Sequence, residues 1–265
     1  MKNWIKVATA AAVGVALSAS AASAAWEKVV IATEGAYPPF NYVDKDGNLQ
    51  GFDVDFAVKL CETAGIECEI VAQDWDGIIP GLLAKKYDAI IAQMSITEER
   101  KRSIDFTNYY STTPAVFVGK EGMSVTAWKD DAVVEDALDG LVIGVQRSTT
   151  HSAFLEDNFP NAEIRMYDTQ DNALLDLTAG RIDATLADSG VLVEWVKSDA
   201  GKGYAFISDT FAPKEFFGEG TGIGIRKEDQ ELKEILNKAL AEMLANGSYQ
   251  EINKKYFEEI NLHPN

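Results

Sequence analysis

The stretch YDAIIAQMSITEER, Tyr87–Arg100, decides the fold, because an apolar run stops there and gives way to a short polar turn. A run of this length is typical of a buried strand. In open α/β sheets the ligand cleft lies beyond the carboxyl ends of the strands, so we expect Ser95 and Arg100 at such a cleft. The planar guanidinium of Arg100 can hold a carboxylate with two parallel hydrogen bonds. A surface arginine on a solvated turn is the alternative that this stretch leaves open.

A second copy of this pattern occurs in IDATLAD, Ile182–Asp188. Aligning Asp88 with Asp183 places Gln93 opposite Asp188, so two equivalent strands each end in a polar residue. Around each copy the chain alternates strand-like and helix-like segments, which predicts mostly parallel sheets with helices on their faces. We therefore predict an α/β fold of two similar lobes that face each other across a cleft.

The lobe boundaries follow from where these two series begin and end. Two amphipathic helices close the chain and need a surface to pack on, for which the first lobe is the simplest choice. The first lobe is therefore predicted to be discontinuous, with residues 25–113 and 213–265, and the second lobe to be residues 114–212. Near the second crossing, the segment GEGTGIG lacks the strand, turn and helix order of a dinucleotide-binding loop and is interpreted as part of a strand.

The segment Gly51–Gly65, GFDVDFAVKLCETAG, predicts the first helix of the chain. Its apolar residues recur at helical spacing, Asp53 can cap its start, and Gly65 can end it. Cys61 falls near the end of this helix and Cys68 in the strand that follows. A disulfide between them is chemically permitted in an exported protein and would add roughly 2 to 3 kcal/mol to stability. A metal site, the alternative, would need more ligands than these two thiols.

The N-terminus has the features of a signal peptide. Lys2 and Lys6 precede an apolar run that ends in Ala22-Ser23-Ala24, the small-x-small pattern that signal peptidase cuts. The run is short for a membrane span, and no cysteine stands at the cut to carry a lipid anchor. Residues 1–24 are therefore expected to be removed, which predicts a soluble protein of the periplasm.

The charge balance excludes several classes of partner. The chain has 24 Lys and Arg against 42 Asp and Glu, and its formal net charge of -18 becomes about -20 without the two lysines of the signal peptide. A chain this acidic repels nucleic acid and anionic lipid surfaces. It can steer cationic solutes, although solubility alone also accounts for most of the charge. No sequence motif indicates a metal or a cofactor.

Five segments of the chain, in the same order, resemble one protein family. They are ATEGAYPPFNYVDKDGNLQGFDVDFAVKLCE, DWDGIIPGLLAKKYDAIIAQMSITEERKRSIDFTNYY, GVQRSTTHSAF, LTAGRIDATLAD and GTGIGIRKEDQEL. They are similar to the polar amino-acid solute-binding proteins of ABC importers, and above all to the arginine-binding, lysine/arginine/ornithine-binding and histidine-binding members. The resemblance implies the type II periplasmic binding protein fold with a two-strand hinge. It also implies a monomer that delivers a free amino acid to membrane permease subunits, without catalysis or a cofactor.

The resemblance implies roles for the residues that would hold the ligand backbone. Arg100 corresponds to the clamp for the α-carboxylate, with Ser95 beside it, and Asp188 to the acid that takes the α-ammonium group. Thr149 and Thr150 correspond to a segment that opens a helix, where free N–H groups can bind an anion. The physical chemistry agrees, because a zwitterion needs one cationic fork and one anionic acceptor.

The resemblance also implies a pocket for the ligand side chain. Tyr37 and Trp75 would be its walls and could attract a cationic side chain, although they could instead be ordinary core aromatics. Glu34, at the end of the first strand, would pair with a guanidinium or ammonium group, unless it points to solvent. His151 matches the arginine-binding members. Gln93 departs from close relatives and could shorten the pocket or bind the ligand.

The leading hypothesis from the sequence is therefore a periplasmic receptor for a basic amino acid, with arginine first and lysine, ornithine or histidine as alternatives. An enzyme on the same fold, a periplasmic dehydratase of a prephenate-like substrate, is the runner-up and would need a general acid in the cleft. A sensory domain is a third class. It would be expected to continue into a transmembrane helix, and none follows before Asn265.

Overall fold

A computed structural model describes residues 26–258 and 260–263 of the chain, so the predicted signal peptide lies outside the described residues. The described strands are β1 Lys28–Thr33, β2 Ala36–Tyr37, β3 Asn41–Val43, β4 Leu49–Gln50, β5 Glu67–Ala72, β6 Ala89–Ile90, β7 Asp105–Ser111, β8 Ala115–Lys120, β9 Trp128–Lys129, β10 Ala132–Val133, β11 Val142–Gln146, β12 Glu163–Tyr167, β13 Ala184–Asp188, β14 Tyr204–Phe206 and β15 Thr221–Ile225. The described helices are α1 Phe52–Ala64, α2 Trp75–Leu83, α3 Glu98–Lys101, α4 Thr150–Asn158, α5 Gln170–Thr178, α6 Ser189–Lys197, α7 Lys214–Phe217, α8 Gln230–Asn246 and α9 Ser248–Tyr256. Within the described ranges, every helix is too short or too polar to cross a lipid bilayer.

Two five-stranded sheets form the framework of the described chain. The first has the order β5-β1-β6-β15-β7 and the second the order β12-β11-β13-β8-β14. The predicted α/β fold of two similar lobes is confirmed. Each sheet is mostly parallel, as predicted, with one reversed strand: β15 in the first sheet and β8 in the second run antiparallel to both of their neighbours. The chain passes directly from β7 of the first sheet to β8 of the second.

The two lobes repeat the same local structure around the two aligned segments. β1 is parallel to both β5 and β6, and β11 is likewise parallel to both β12 and β13. The Asp88 carboxylate accepts a hydrogen bond from the Val30 amide at 3.0 Å, and the Asp183 carboxylate accepts one from the Val142 amide at 2.8 Å. The repeat in the sequence therefore corresponds to one structural unit used twice.

Each sheet is buried between its own helices. The core of the first lobe is rich in aromatic side chains, among them Phe40, Phe52 and Phe56, and α8 and α9 pack on α1 there. In the second lobe, Phe217 of α7 packs in the core beside α4. The lobe boundaries remain a proposal, and because of Phe217 we place the second crossing after α7 rather than after residue 212.

The start of α1 differs from the expectation. Gly51, not Asp53, occupies the N-cap position, with a φ of 120° that favours glycine. A Cβ at Gly51 would lie only 2.3 Å from the Phe40 carbonyl oxygen, so the chain enters the helix too tightly for any larger residue. Gly65 ends α1 in the left-handed conformation, and the predicted disulfide joins Cys61 to Cys68, with their Cα atoms 6.1 Å apart.

Candidate ligand-binding site

A cavity lies between the two sheets. All the candidate ligand-binding residues from the sequence line it, namely Glu34, Tyr37, Trp75, Gln93, Ser95, Arg100, Thr149, Thr150, His151 and Asp188. Ala92 lines it too, together with three residues that the sequence analysis did not select, Gln146, Gln170 and Leu186. The lining is therefore drawn from both lobes.

Four strands supply polar side chains to this cavity from their carboxyl ends. Glu34 follows β1, Gln93 follows β6, Gln146 is the last residue of β11, and Asp188 is the last residue of β13. The carboxyl ends of neighbouring parallel strands lie at the same edge of a sheet, which brings these side chains together. Gln146 carried the same sequence signal as Gln93, a polar residue at the end of an apolar strand, and could have been found by it.

Arg100 reaches the cavity from the short helix α3. Its backbone amide is capped by the Thr97 hydroxyl, and its guanidinium donates to the Ser95 carbonyl oxygen at 3.0 Å. The guanidinium carbon lies 5.3 Å from the centre of the Trp75 ring, a distance at which a cation and an aromatic face attract. Burial lowers the pKa of Arg100 to about 10. Because this value is still well above neutral pH, the side chain remains charged. The side chain is therefore a partly buried cation in the cavity and not an arginine on a solvated turn.

Asp188 faces the cavity from the second lobe with both carboxylate oxygens engaged. Oδ2 accepts a hydrogen bond from the Tyr37 hydroxyl at 2.7 Å, and Oδ1 accepts one from the Thr113 hydroxyl at 2.7 Å. Tyr37 belongs to the first lobe and Thr113 to the first crossing between the sheets. These contacts fix the position of the carboxylate and link it to both lobes. No sequence signal pointed to Thr113.

The start of α4 supplies another polar edge of the cavity. Thr149 caps this helix and exchanges hydrogen bonds with Ser152, so its own amide is already occupied, contrary to the expectation of a free N–H. His151 lies in the first turn with only 7% of its surface exposed. Its Nε2 is 3.8 Å from an Asp188 oxygen and has no hydrogen-bond partner among the described residues. Burial lowers the pKa of His151, which favours the neutral ring.

Glu34 lines the cavity and is buried rather than directed to solvent, with 8% of its surface exposed. Its Oε1 accepts a hydrogen bond of 2.6 Å from Gln146 Nε2, which comes from the second lobe. Burial raises the pKa of Glu34 to about 7. Trp75 forms a further bridge between the lobes, because its Nε1 donates to the Ser148 carbonyl oxygen at 3.0 Å.

Gln93 lines the cavity, but its amide is directed into the core of the first lobe. Its Nε2 donates to Asp53 at 2.8 Å, and its Oε1 accepts from the Ser111 hydroxyl at 3.0 Å. The Asp53 carboxylate also accepts from Asn41 at 2.8 Å and from Tyr110 at 3.0 Å. Burial raises the pKa of Asp53 to about 7, although its three donors oppose that rise. The polar atoms of Gln93 are thus committed to protein partners behind the cavity wall.

The two lobes and the polar cavity between them define the class of two-lobed ligand-binding proteins. The chain belongs to the bacterial extracellular solute-binding proteins, family 3, whose family model matches residues 29–259. It is 46% identical to an L-arginine-binding protein of Pseudomonas aeruginosa, over 88% of this chain and 89% of the relative. It is 41% identical to a histidine-binding periplasmic protein of Escherichia coli, over 91% and 92%.

A solved structure gives the same picture of the fold. A periplasmic His/Glu/Gln/Arg/opine family-binding protein from Silicibacter pomeroyi, in complex with lysine, superposes with a TM-score of 0.76 and 32% identity. The match covers 89% of this chain and all of the other chain. The fold predicted from the repeat is therefore that of a solved binding protein of amino acids.

Proposed function

We propose that this protein is a monomeric periplasmic receptor that captures a free basic amino acid, arginine first, and delivers it to the permease of an ABC importer. Lysine, ornithine and histidine are the alternative ligands. The observation that carries the proposal is the presence, in one cavity, of a cation and an acid from opposite lobes, Arg100 and Asp188. The names of the similar proteins, which include arginine, histidine and lysine ligands, support the same class of ligand.

The α-carboxylate and α-ammonium group of the ligand are assigned to opposite sides of the cavity. Arg100 binds the carboxylate, together with amides in the first turn of α4 that have no partner within the helix. Asp188 binds the ammonium group, and His151 has a free Nε2 beside it. Charge-assisted hydrogen bonds contribute about 1.5 to 3 kcal/mol each, so a few of them can supply the roughly -8 kcal/mol of micromolar affinity.

The side chain of the ligand is assigned to the end of the cavity between Trp75, Tyr37 and Glu34. The aromatic rings suit a long aliphatic stem or a flat guanidinium, and a cation on such a ring gains about 0.5 to 2 kcal/mol. Glu34 provides the negative charge at the far end. An aliphatic side chain would offer this buried carboxyl neither a positive charge nor a hydrogen-bonding group, which disfavours it.

Ligand binding would also hold the two lobes together. Hydrogen bonds already join them around the cavity, among them those from Tyr37 to Asp188, from Trp75 to Ser148 and from Gln146 to Glu34. A zwitterion bound by groups of both lobes adds further links of this kind. The permease would then bind the closed protein with its ligand inside.

Titration calorimetry and thermal unfolding with the common amino acids, ornithine and citrulline test this proposal. We expect the largest stabilisation with arginine or another basic amino acid, since a ligand that binds only the folded state raises its stability. Arg100→Ala should abolish binding of every amino acid. Lys101→Ala is the matched control, because this neighbouring cation pairs with Glu98 on the surface and should leave binding unchanged. A response to glutamate or aliphatic amino acids alone would contradict the proposed ligand class.

A dehydratase is the second candidate, and one observation favours it. Glu34 has a pKa of about 7 in a cavity, which suits a general acid. Against it, Asp188 would meet a dicarboxylate substrate such as prephenate with like charge. Incubation with prephenate and arogenate should show no turnover, and measurable product would assign an enzymatic function instead.

A further inference from the structure

Glu34 is a buried acid with an unusual set of neighbours. It is 8% exposed, and its one hydrogen bond to a described side chain comes from the neutral amide of Gln146. The charged side chains that act on it are all acidic, namely Asp171 at the start of α5 and Asp74 and Asp76 at the start of α2. An ionised carboxylate that has left water without a positive partner is costly. These surroundings account for a pKa of about 7.

We propose that Glu34 exchanges its proton for the positive charge of the ligand side chain, so that capture of a cationic amino acid releases a proton to solvent. This inference rests on the proposed function. Before binding, the carboxyl holds a proton, and its Oε1 accepts a hydrogen bond from the Gln146 amide. When a guanidinium or ammonium group enters, the O–H proton leaves and the carboxylate pairs with the new cation. Charge at this end of the cavity is conserved, since one cation replaces one proton.

Gln146 acts in this scheme as a positioning residue. Its Nε2 donates to Glu34 at 2.6 Å and to the Asp168 carbonyl oxygen at 3.2 Å, so the second lobe holds the amide in place on its own side. The same amide can donate to Glu34 in either protonation state, because a protonated carboxyl still has an acceptor oxygen. An amino acid with a neutral side chain can therefore be held by the protonated form without proton release.

The exchange makes the preference between cationic and neutral ligands depend on pH. A group that titrates near pH 7 is half protonated there, so arginine should release about 0.5 proton per molecule bound at pH 7. Arginine affinity should increase about tenfold between pH 6 and pH 8, because the proton competes with the ligand for the same carboxylate. Citrulline, which has the shape of arginine without its charge, should gain no affinity over this interval.

Two other buried groups in or near the cavity could in principle release a proton. His151 lies beside Asp188 and is acted on by the charge of Arg100, the two residues to which the α-ammonium and α-carboxylate groups are assigned. Asp53 is held by Asn41, Gln93 and Tyr110 in the core of the first lobe, away from the ligand side chain. Tyr37 donates its hydroxyl proton to Asp188, and burial raises its pKa, so it does not ionise near pH 7.

Calorimetric titration of the intact protein with arginine and citrulline, at pH 6, 7 and 8 in buffers of different ionisation enthalpy, tests the inference. The number of protons released is the slope of the observed heat against the buffer enthalpy. We expect release with arginine, none with citrulline, and none with arginine in Glu34→Gln, whose remaining arginine affinity should be independent of pH. Asp53→Asn, which changes a buried carboxyl outside the proposed ligand site, should retain the release.

Tight arginine binding without a buffer-dependent heat would overturn the exchange and leave the proposed function intact. Release that persists in Glu34→Gln, or that is lost in Asp53→Asn while arginine still binds, would assign the proton to another group and would also overturn it. Absence of binding to every basic amino acid would overturn the proposed function together with the inference.

Discussion

The segments Tyr87–Gln93 and Ile182–Asp188 share one register in their sheets but use their last residues in opposite ways. Gln93 has a φ of 49°, in the left-handed region, and its amide is directed into the core of the first lobe. Asp188 has a φ of -61° and its carboxylate faces the cavity. Gln93 follows a strand that ends at Ile90, whereas β13 continues to Asp188. The backbone conformation at the strand exit, more than the residue type, decides which side the polar group faces.

This difference shows how two copies of one structural unit can take different roles, one in stabilising the core and the other in facing the ligand. In the first lobe the strand exit stabilises the core through Asp53 and Ser111, and the turn that follows carries the cation Arg100. In the second lobe the exit itself carries the anion, and the helix α6 follows at once. Two similar lobes thus offer groups of opposite charge to one cavity, which is the requirement of a zwitterion.

The largest expected effect comes from Asp188→Asn at the end of the segment Ile182–Asp188. This change removes the negative charge that faces the cavity and keeps the shape of the side chain. Arginine affinity should fall by about 100- to 1000-fold, because breaking a desolvated charge pair costs about 3 to 5 kcal/mol. Thermal stability of the ligand-free protein should change little, since an asparagine can still accept from Tyr37 or Thr113. Calorimetric titration and thermal unfolding of the same sample measure both quantities. A variant that keeps its affinity would show that the two exits do not differ in function.

The second prediction concerns the end of the segment Tyr87–Gln93, where Asp53 holds Gln93 in place. It is tested by the pH dependence of the free energy of unfolding. The pKa of Asp53 rises from the ordinary 3.8 to about 7 in the folded protein, so the folded state binds more protons than the unfolded state between these values. This contribution to stability is largest below pH 4 and is lost as the pH rises through 7. Between pH 5 and 8 the free energy of unfolding should therefore fall less in Asp53→Asn than in the wild type, by on the order of 2 kcal/mol.

Urea unfolding at several pH values provides this measurement. Glu34→Gln is the matched comparison, because Glu34 is the other buried carboxyl of the first lobe whose pKa lies near 7. In each variant, the free energy of unfolding should fall less between pH 5 and 8 than in the wild type, because one titrating carboxyl has been removed. Identical slopes in the wild type and Asp53→Asn would mean that the three donors keep Asp53 ionised throughout this range.

Gln93→Leu should produce the reverse pattern of Asp188→Asn. The change removes a donor from Asp53 and an acceptor from Ser111, and unsatisfied buried polar groups cost about 1 to 3 kcal/mol. We expect a loss of about 1 to 2 kcal/mol in the free energy of unfolding, with arginine affinity changed by less than about fivefold. Denaturant unfolding and calorimetric titration test this. A large loss of affinity with unchanged stability would restore Gln93 as a ligand-binding residue.

Much of this arrangement could be predicted from the sequence, because the signals that specify it lie within short segments of the chain. Apolar runs, caps and the repeat fix the strands and helices, and strand ends must meet at one edge of a sheet, which brought Glu34 and Asp188 to one cavity. Side-chain direction could not be predicted in the same way. The left-handed φ of Gln93 and the close packing at Gly51 both depend on contacts between distant parts of the chain. Thr113 was missed because its partner, Asp188, lies 75 residues away.

The smallest expected effect concerns the residue just beyond the second exit. Gly190 aligns with Ser95 of the first lobe, yet a Cβ at Gly190 would lie 2.9 Å from the tip of the Phe40 ring. Phe40 is fully buried in the core of the first lobe, so it cannot yield easily, and the lobes would have to separate by a few tenths of an ångström.

Gly190→Ala should therefore weaken arginine binding by about threefold, which is less than 1 kcal/mol, by opposing full closure. At the same time, alanine is a better helix former than glycine by about 1 kcal/mol, so the second lobe should become no less stable. The dissociation rate of arginine, measured by stopped-flow fluorescence, should rise while the unfolding midpoint stays level or increases. An unchanged dissociation rate would mean that the contact between Gly190 and Phe40 has no part in closure, and that the two exits differ only in the polar residue that each of them carries.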